Sequence, residues 1–598
     1  MLSRSYVEWR VGNRNLMHLP VKRYLALLVT YLKPQWGRTI VMGALLLVNV
    51  GLQLLNPQIV RFFIDTIIVK GPSTTLAFYA LLLMLVTLVD EGVSVATTYL
   101  SESVAWTATN QMRTDLVAHC LTLDMGFHKA HTSGEMLERI DGDVDALSNF
   151  FSQFVVFLLS NVILLVGVLI AVYFADWRAG LVLTVFSLTT LLILLRLRRY
   201  ANPLWVSYRQ MMATFFGFLG EHLAATEDMR ANGATGYIIQ RFYQLLRPLL
   251  RSNRHARMAT SYSGASTLTI FVLGSALMMG LGAYLWSIGA ITLGTVYLFW
   301  SYTDLLSQPI TQIRNQLQDL QQAEACIQRI EQLFSTQSAI QESEQGVEAP
   351  QGPLAVAFEN VTFGYNAGEP VLHEITFDIA PGKVLGVLGR TGSGKTTLAR
   401  LLFRLYDAQE GTICIGESPI KSLALRGLRQ RVGMVTQDVQ LFNAPVRDNL
   451  TFFNRAIDDA QLLQVLDMVG LSSWYQGLPR GLDSMLGADG QGLSAGEAQL
   501  LAFARVFLKD PGLVIFDEAS SRLDPATERR IEQAVSSILA KRTGIVIAHR
   551  LATIQRTDDI LILEDGRIRE YGPREALATD THSHFFRLLQ VGLEEARA

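Results

Sequence analysis

Polar and apolar positions divide the chain into two different halves. Thr39–Val60 is the first of five stretches that contain no charged residue. As a helix, its 22 residues would span roughly 33 Å, enough for a bilayer core of about 30 Å. The other four stretches are Gly71–Val89, Ser148–Ala175, Ala179–Leu195 and Met258–Thr303. The last of them is long enough to cross twice with a turn at Ser287–Ala290, so the pattern predicts six transmembrane helices.

Charges between these stretches predict the orientation of the chain. Arg196–Arg257 holds 10 arginines against 3 acidic residues, an excess typical of cytoplasmic loops. The segment before the first stretch is also basic, with Arg4, Arg10, Arg14, Lys22 and Arg23. Both termini and the long loops after the second and fourth spans are therefore predicted to be cytoplasmic. The loops are expected to continue the membrane helices, and the expected location is a bacterial inner (cell) membrane.

Two acidic residues, Asp90 and Glu91, interrupt the second span. Burying a charged side chain in lipid is costly, so acids at this depth are candidates for a functional role. The alternative is that they lie at a helix end or in a wet cavity without specific partners.

Beyond Pro309 the chain becomes polar. Residues 336–353 have the composition of a flexible linker, and the alternating apolar residues that follow are typical of a strand. The predicted organisation is an α-helical membrane domain over 1–335, a linker over 336–353 and an α/β domain over 354–598. A net charge of −2 gives no reason to expect nucleic acid, and the three cysteines lack the spacing of a metal site or disulfide framework.

The segment Gly389–Thr396 has the spacing G-x-x-x-x-G-K-[ST] of a phosphate-binding loop. An apolar run precedes it and a helical leucine pattern follows, the strand–loop–helix context that such a loop requires. Backbone N–H groups at the helix start would face the anion. Lys395 would reach the β- and γ-phosphates of a nucleotide, and the Thr396 hydroxyl would hold Mg²⁺. The predicted nucleotide ligands are Gly389, Arg390, Thr391, Gly392, Ser393, Gly394, Lys395, Thr396 and Thr397.

Further motifs lie before and after this loop in a characteristic order. They include Phe363-Gly364-Tyr365, Val435-Thr436-Gln437-Asp438, Leu493-Ser494-Ala495-Gly496-Glu497, the strand Leu513–Asp517 followed by Glu518, and His549 after Ile545–Ala548. In this order and spacing, residues 354–590 resemble the nucleotide-binding domain of ABC transporters. With six spans ahead of it, the chain resembles an exporter-type half-transporter of that family, which implies a P-loop NTPase fold of the ABC type.

The resemblance implies roles for single residues. Tyr365 would stack on adenine, although an aromatic residue packed in a turn is the alternative. Gln437 would sense Mg²⁺ and the attacking water, and Asp524 would face the second nucleotide domain. His549 would contact the γ-phosphate.

The strand Leu513–Asp517 is followed directly by Glu518, so it ends in two carboxylates, as expected at the edge of an α/β sheet that holds a metal-bound ligand. Asp517 would bind Mg²⁺, and Glu518 would be the base that polarises water.

The signature motif departs from the usual LSGGQ of the family. Ser494 and Gly496 are kept, while Ala495 and Glu497 replace Gly and Gln. By resemblance, this helix start would bind the γ-phosphate of ATP held by another subunit, so added bulk and negative charge would weaken that half-site. The alternative is tolerated drift, with the Glu497 carboxylate pointing away.

These motifs imply that the chain works with a second half-transporter. A heterodimer is favoured over a homodimer, because in heterodimeric exporters the chain with the catalytic glutamate commonly has the altered signature. The expected activity is ATP-driven export of a hydrophobic or amphipathic drug, lipid or peptide. The alternatives are an ATP-gated or regulatory subunit, a soluble DNA-handling ATPase and an importer. The stretch Phe127–Glu135 resembles the first cytoplasmic loop, whose short transverse helix docks on the nucleotide domain.

Overall fold

The computed structural model describes residues 29–149, 156–342, 346–366, 368–436, 439–487, 493–517, 525–547 and 554–595. Contacts divide the chain into two compact units. The first takes the described residues of Met1–Thr122 and Ser133–Thr336, and the second those of Leu123–Thr132 and Gln337–Ala598. A short segment from the first half of the sequence thus packs within the second unit, whereas the sequence assigned it to the membrane domain. The boundaries at 335 and 354 stay predictions.

In its described residues, the first half of the chain consists of helices joined by short turns. Its helices are α1 (Trp36–Ile68), α2 (Ser73–Thr122), α3 (Met125–Ala130), α4 (Ser133–Leu137), α5 (Asp143–Asn149), α6 (Val156–Ala175), α7 (Trp177–Ala224), α8 (Thr226–Ala231), α9 (Thr235–Ser287), α10 (Leu293–Leu305) and α11 (Ser307–Ser335). A 3₁₀ turn, Lys33–Gln35, precedes α1, and a π-helical segment, Glu138–Gly142, joins α4 to α5. All except α3 belong to the first unit.

Among the described residues, four helical segments are long and apolar enough to cross a membrane by length and composition: Val29–Ile68, α2, α7 and α9. A shorter apolar stretch, Leu159–Ala175, lies in α6. Between α9 and α10 the helix breaks where the turn was predicted, and Gly289 has a φ of 72°. The count of six spans stays a prediction, and the basic N-terminal residues before Val29 lie outside the described residues.

Side chains from several helices form the core of the first unit. Met278, Phe299 and Tyr302 are among its fully buried residues. The Tyr302 hydroxyl donates to the Leu54 carbonyl (2.9 Å) and accepts from the Gln58 amide (3.1 Å). The hydroxyl is therefore hydrogen-bonded both as a donor and as an acceptor, although the ring is buried among apolar residues.

Asp65, near the end of α1, also fixes the start of α10. One of its carboxylate oxygens accepts from the Gly294 backbone N–H (2.9 Å) and the other from the Thr292 hydroxyl (2.8 Å). These bonds satisfy an N-terminal N–H group that the helix itself leaves without a partner.

Asp90 lies in the interior of α2 and not at a helix end. Its carboxylate accepts a hydrogen bond from the Asn49 amide of α1 (3.0 Å), and the Asn49 carbonyl accepts one from Gln53 (2.9 Å). The expectation of a helix end is therefore wrong for Asp90, which also has a side-chain partner, while the expectation of a wet cavity stays a prediction. Glu91 is exposed on the surface of the isolated chain.

The second unit is an α/β domain. Its strands are β1 (Val356–Phe363), β2 (Leu372–Ile379), β3 (Val384–Gly389), β4 (Glu410–Ile415), β5 (Ser418–Pro419), β6 (Val432–Val435), β7 (Ala444–Pro445), β8 (Met485–Leu486), β9 (Leu513–Asp517), β10 (Thr543–Ile547), β11 (Asp559–Glu564) and β12 (Arg567–Pro573). Its remaining helices are α12 (Lys395–Leu402), α13 (Leu425–Arg431), α14 (Val446–Thr451), α15 (Asp459–Met468), α16 (Ser472–Gln476), α17 (Ala495–Lys509), α18 (Pro525–Leu539), α19 (Arg574–Thr579) and α20 (His584–Glu595).

The main sheet has the strand order β12-β11-β3-β10-β9-β6, and all its strands except β12 are parallel. Every residue of β9 and β10 is buried, as expected for parallel strands covered on both faces. A second, antiparallel sheet has the order β2-β1-β4-β5. In the segment predicted to be a flexible linker, Val347 exchanges backbone hydrogen bonds with Ser422 and Ala424 (3.1 and 3.0 Å). That segment is therefore anchored to the domain there.

Candidate nucleotide site

The predicted phosphate loop connects the buried strand β3 to the start of α12. Gly389 has a φ of 149°, and a Cβ at this position would collide with the Leu563 carbonyl oxygen. Gly394, the residue before α12, has a φ of 102°. Only glycine adopts these conformations without strain, so the two glycines allow the backbone to wrap the space in front of the helix.

Two polar side chains of this loop are arranged to bind an anion. Lys395 is 6% exposed, and its ammonium donates to the carbonyl oxygens of Gly389 (2.7 Å) and Arg390 (2.9 Å). The Ser393 hydroxyl is buried and has no hydrogen-bond partner among the described residues. A buried hydroxyl without a partner is costly, and a phosphate oxygen would satisfy it.

Thr396 and Asp517 come together although 121 positions separate them in the sequence. The Thr396 hydroxyl oxygen lies 3.4 Å from Oδ1 of Asp517, which is 8% exposed at the end of β9. Both are hard oxygen ligands, and two adjacent ligands of an octahedral Mg²⁺ at about 2.1 Å would lie roughly 3 Å apart. The pair therefore fits Mg²⁺ with a small adjustment.

The strand order brings the carboxyl ends of four strands, each followed in the sequence by a predicted motif, to one edge of the sheet. The adjacent parallel strands β3, β10, β9 and β6 all end at that edge. The phosphate loop follows β3, and Asp517 ends β9. His549 comes two positions after β10, Glu518 directly after β9, and Gln437 two positions after β6. Gln437, Glu518, Asp524 and His549 themselves lie outside the described residues.

Tyr365 is held in place by hydrogen bonds to α12. Its hydroxyl accepts from the Arg400 guanidinium (2.9 Å) and lies 3.2 Å from the Thr397 hydroxyl. Phe363 and Tyr406 pack edge-on against its ring at centroid distances of 5.1 Å. The ammonium of Lys129 lies 4.0 Å from its ring centroid. The residue predicted to stack on adenine is thus fixed beside the phosphate loop and is in contact with a cation.

At the signature motif, Ser494 begins α17 as its N-cap and is exposed. One oxygen of Glu497 accepts from both the backbone N–H and the hydroxyl of Ser494 (2.8 and 2.9 Å), and the Glu497 N–H donates to that hydroxyl (3.2 Å). This reciprocal arrangement is a capping box. The Glu497 carboxylate therefore folds over Ser494 and does not point away from it.

Arg505, on α17, fixes the chain that follows Gln437. Its guanidinium donates to the carbonyl oxygens of Asn449 (2.8 Å) and Gln440 (3.0 Å). Burial lowers the pKa of Arg505 to about 10, which leaves it charged at neutral pH. The Arg505 guanidinium thus links the signature helix to the segment after Gln437.

Sequence reasoning missed several of these contacts. The capping box was readable as Ser494-x-x-Glu497 before an apolar helical run. The contacts of Lys129 and Arg400 with Tyr365 had no such local signal, because Lys129 and Tyr365 are 236 positions apart in the sequence.

Comparisons with known proteins agree with this arrangement. A family model of the ABC transporter transmembrane region matches residues 39–310, and a family model of the ABC transporter matches residues 372–521. The uncharacterised ABC transporter ATP-binding protein YknV of Bacillus subtilis is 30% identical over 473 residues, which are 78% of this chain and 77% of that protein. An ATP-dependent lipid A-core flippase of Alcanivorax borkumensis is 28% identical over 92% of this chain and 94% of its own length.

A solved structure of a bacterial Atm1-family ABC exporter with ATP bound is similar with a TM-score of 0.78. It is 25% identical in sequence, and the match covers 92% of this chain and 97% of that one. The predictions of family, fold class and ATP hydrolysis are confirmed. The chain belongs to the ABC transporters, as an ATP-hydrolysing, exporter-type half-transporter whose helical transmembrane domain is fused to a nucleotide-binding domain.

Proposed function

We propose that this half-transporter pairs with a different half-transporter, and that the pair exports a hydrophobic or amphipathic cargo. The observation that carries the proposal is the capping box at the signature. A carboxylate occupies the Ser494 groups that would otherwise receive a γ-phosphate from the facing subunit. A homodimer would contain this weakened half-site twice, whereas a partner with an intact signature would complete one good site.

That good site would be built on this chain's own phosphate loop. Lys395 would exchange its two backbone carbonyl partners for phosphate oxygens, which form stronger, charge-assisted hydrogen bonds. The Ser393 hydroxyl would gain a partner, and Tyr365 would hold the adenine. Since the motif-bearing strands end side by side, Gln437, Glu518 and His549 would reach the γ-phosphate from neighbouring positions.

Mg²⁺ would be held by Thr396 and Asp517 together with the phosphates. When bound, the ion offsets charge that develops on the phosphate oxygens. Glu518 would take up the proton of the attacking water, and His549 would orient that water toward the γ-phosphate. Asp524 and Gly496 would lie at the contact with the second nucleotide domain.

ATP would drive export because it binds one state of the dimer more tightly than the other. Closing two nucleotide domains over ATP would draw the cytoplasmic loops together and turn the membrane cavity outward. Hydrolysis would then remove the γ-phosphate that bridges the two chains. The flippase relative acts on lipid A-core according to its name, which supports a lipid or another amphiphile as cargo here. The arginine-rich segment between residues 196 and 257 supports a cytoplasmic nucleotide-binding domain at a bacterial inner membrane.

The test is ATP hydrolysis by this chain purified alone in lipid nanodiscs, with Glu518→Gln as the blank. The expected result is ATP binding without steady turnover, because a second half-transporter is missing. Addition of the correct partner should then give turnover and ATP-dependent flux of a labelled amphiphile in vesicles. Steady hydrolysis by the single chain, absent from the Glu518→Gln variant, would instead establish a working homodimer. Turnover of the complete pair without flux would support a regulatory subunit.

A further inference from the structure

The loop helix α3 belongs to the second unit although both its flanking helices belong to the first. Asp124 is its N-cap and accepts from the Phe127 N–H (3.1 Å), while its other carboxylate oxygen accepts from the Ala339 N–H (2.7 Å). Burial opposes the charge on Asp124, but these backbone N–H groups outweigh it and hold its pKa below the ordinary value. The helix is therefore held to the start of the polypeptide that leads into the nucleotide-binding domain.

Lys129 lies in the last turn of α3, directly over Tyr365. Its ammonium is 4.0 Å from the ring centroid, the closest of the cations at this ring, since the Arg400 guanidinium carbon is at 5.9 Å. The Lys129 side chain is exposed, so its ammonium can move away from the ring with little change in its hydration. An ammonium over a tyrosine face is attracted by the negative face of the ring.

Neighbouring side chains hold the ring in this orientation. Hydrogen bonds from Arg400 and the contact with Thr397 fix its hydroxyl, and Phe363 and Tyr406 enclose it edge-on. Stacked aromatic rings place their centroids about 4.5–7 Å apart. An ammonium at 4.0 Å therefore lies in the volume that a base on the same face would fill.

We infer that Lys129 is a positioning residue that competes with the nucleotide base for Tyr365, so that adenine binding releases Lys129 from the ring. This inference rests on the proposed role of Tyr365 as the adenine platform. Because α3 is joined to α2 at one end and to α4 at the other, the release acts on a loop that is covalently continuous with membrane helices. Binding of the base, in addition to binding of the phosphates, then changes a contact of the loop that leads to the transmembrane helices.

The test compares ADP with pyrophosphate, which carries phosphates but no base, on the full chain in nanodiscs. Lys129→Met should bind ADP about two- to fivefold more tightly than the wild type, the gain expected when an exposed cation–π competitor is removed. Pyrophosphate affinity should not change. Lys129→Arg retains a cation over the ring and should bind ADP like the wild type.

A second measurement follows Lys129 itself. Its acetylation rate, read by mass spectrometry, should rise when ADP is added and should not change with pyrophosphate. Lys383, whose ammonium pairs with Asp558 (2.8 Å), is the internal reference. Unchanged or weaker ADP binding by Lys129→Met, or an equal change for ADP and pyrophosphate, would overturn the inference.

Tyr365→Ala separates this inference from the proposed function. If this variant loses affinity for ADP but not for pyrophosphate, Tyr365 is the base platform, and the Lys129 variants alone decide the competition. If this variant binds ADP as the wild type does, the proposed role of Tyr365 is wrong, and so is the inference that Lys129 competes with the base.

Discussion

Two helix starts in the nucleotide-binding domain carry the two motifs that are predicted to bind phosphate, and they differ in what occupies them. Helix α12 begins after Gly394, which has no side chain to cap it. Helix α17 begins at Ser494, whose N–H and hydroxyl already bind the Glu497 carboxylate. Both ends have the same partial positive charge from their helix dipole. The first is open to an external anion, whereas the second holds an internal one.

This difference shows that a motif in the right place is not by itself a binding site. A capping box stabilises a helix by satisfying its first N–H groups, and a phosphate would use those same groups. At α17 the capping box uses, for helix stability, the groups that the proposed function assigns to a γ-phosphate.

The largest effect is expected from Lys395→Met at the open helix start. ATP binding should weaken roughly 100-fold, since charge-assisted hydrogen bonds are worth about 1.5–3 kcal/mol. Calorimetric titration of the full chain in nanodiscs measures this. Lys383→Met, which removes a surface lysine just before β3, should change the affinity less than twofold. Near-normal binding by Lys395→Met would show that the open helix start does not hold the phosphates.

A smaller effect, about tenfold weaker ATP binding, is expected from Gly394→Ala. The introduced alanine would have to adopt a φ of 102°, and its Cβ would lie 2.5 Å from Leu372 Cδ2, so the loop or the buried Leu372 side chain must shift. Gly392→Ala is the matched control, because Gly392 also has a positive φ (87°) but has open space around its Cβ position. Equal losses in the same titration would assign the effect to backbone strain alone, without the collision.

The smallest effect tests the closed helix start. Glu497→Gln removes the competing charge, and ATP-dependent self-association of the chain should strengthen about fivefold, the size of a helix-terminus charge interaction. Cross-linking yield against ATP concentration, in a Glu518→Gln background that prevents hydrolysis, measures it. Glu575→Gln, in the first turn of α19, removes an acid that is 90% exposed and should have no effect. If both variants behave alike, the capping carboxylate does not weaken the half-site.

Local patterns in the sequence predicted the parts of the site that depend on local geometry. The spacing of the phosphate loop predicts a glycine turn and a helix start, and both are present at Gly389 and Gly394. The apolar run before Glu518 predicts a buried strand, and β9 is one. These inferences succeed because backbone conformation there is dictated by neighbouring residues.

Contacts between distant residues could not be predicted in the same way. Lys129 is an ordinary exposed lysine in its own segment, and only the packing of α3 in the second unit brings it to Tyr365. Asn49 and Asp90 similarly meet because α1 packs along α2. The side-chain direction of Glu497 also needed the structure, although the capping-box spacing was available in the sequence.

The inclusion of residues 123–132 in the second unit affects how the protein can be divided. A fragment that begins at Gln337 would contain every strand that the structure describes in the nucleotide-binding domain but would lack α3. Asp124 would no longer hold Ala339, and Lys129 would be missing from the Tyr365 ring. Nucleotide affinities measured on such a fragment would describe a site without its competitor, so they would overstate how tightly the intact transporter holds the base.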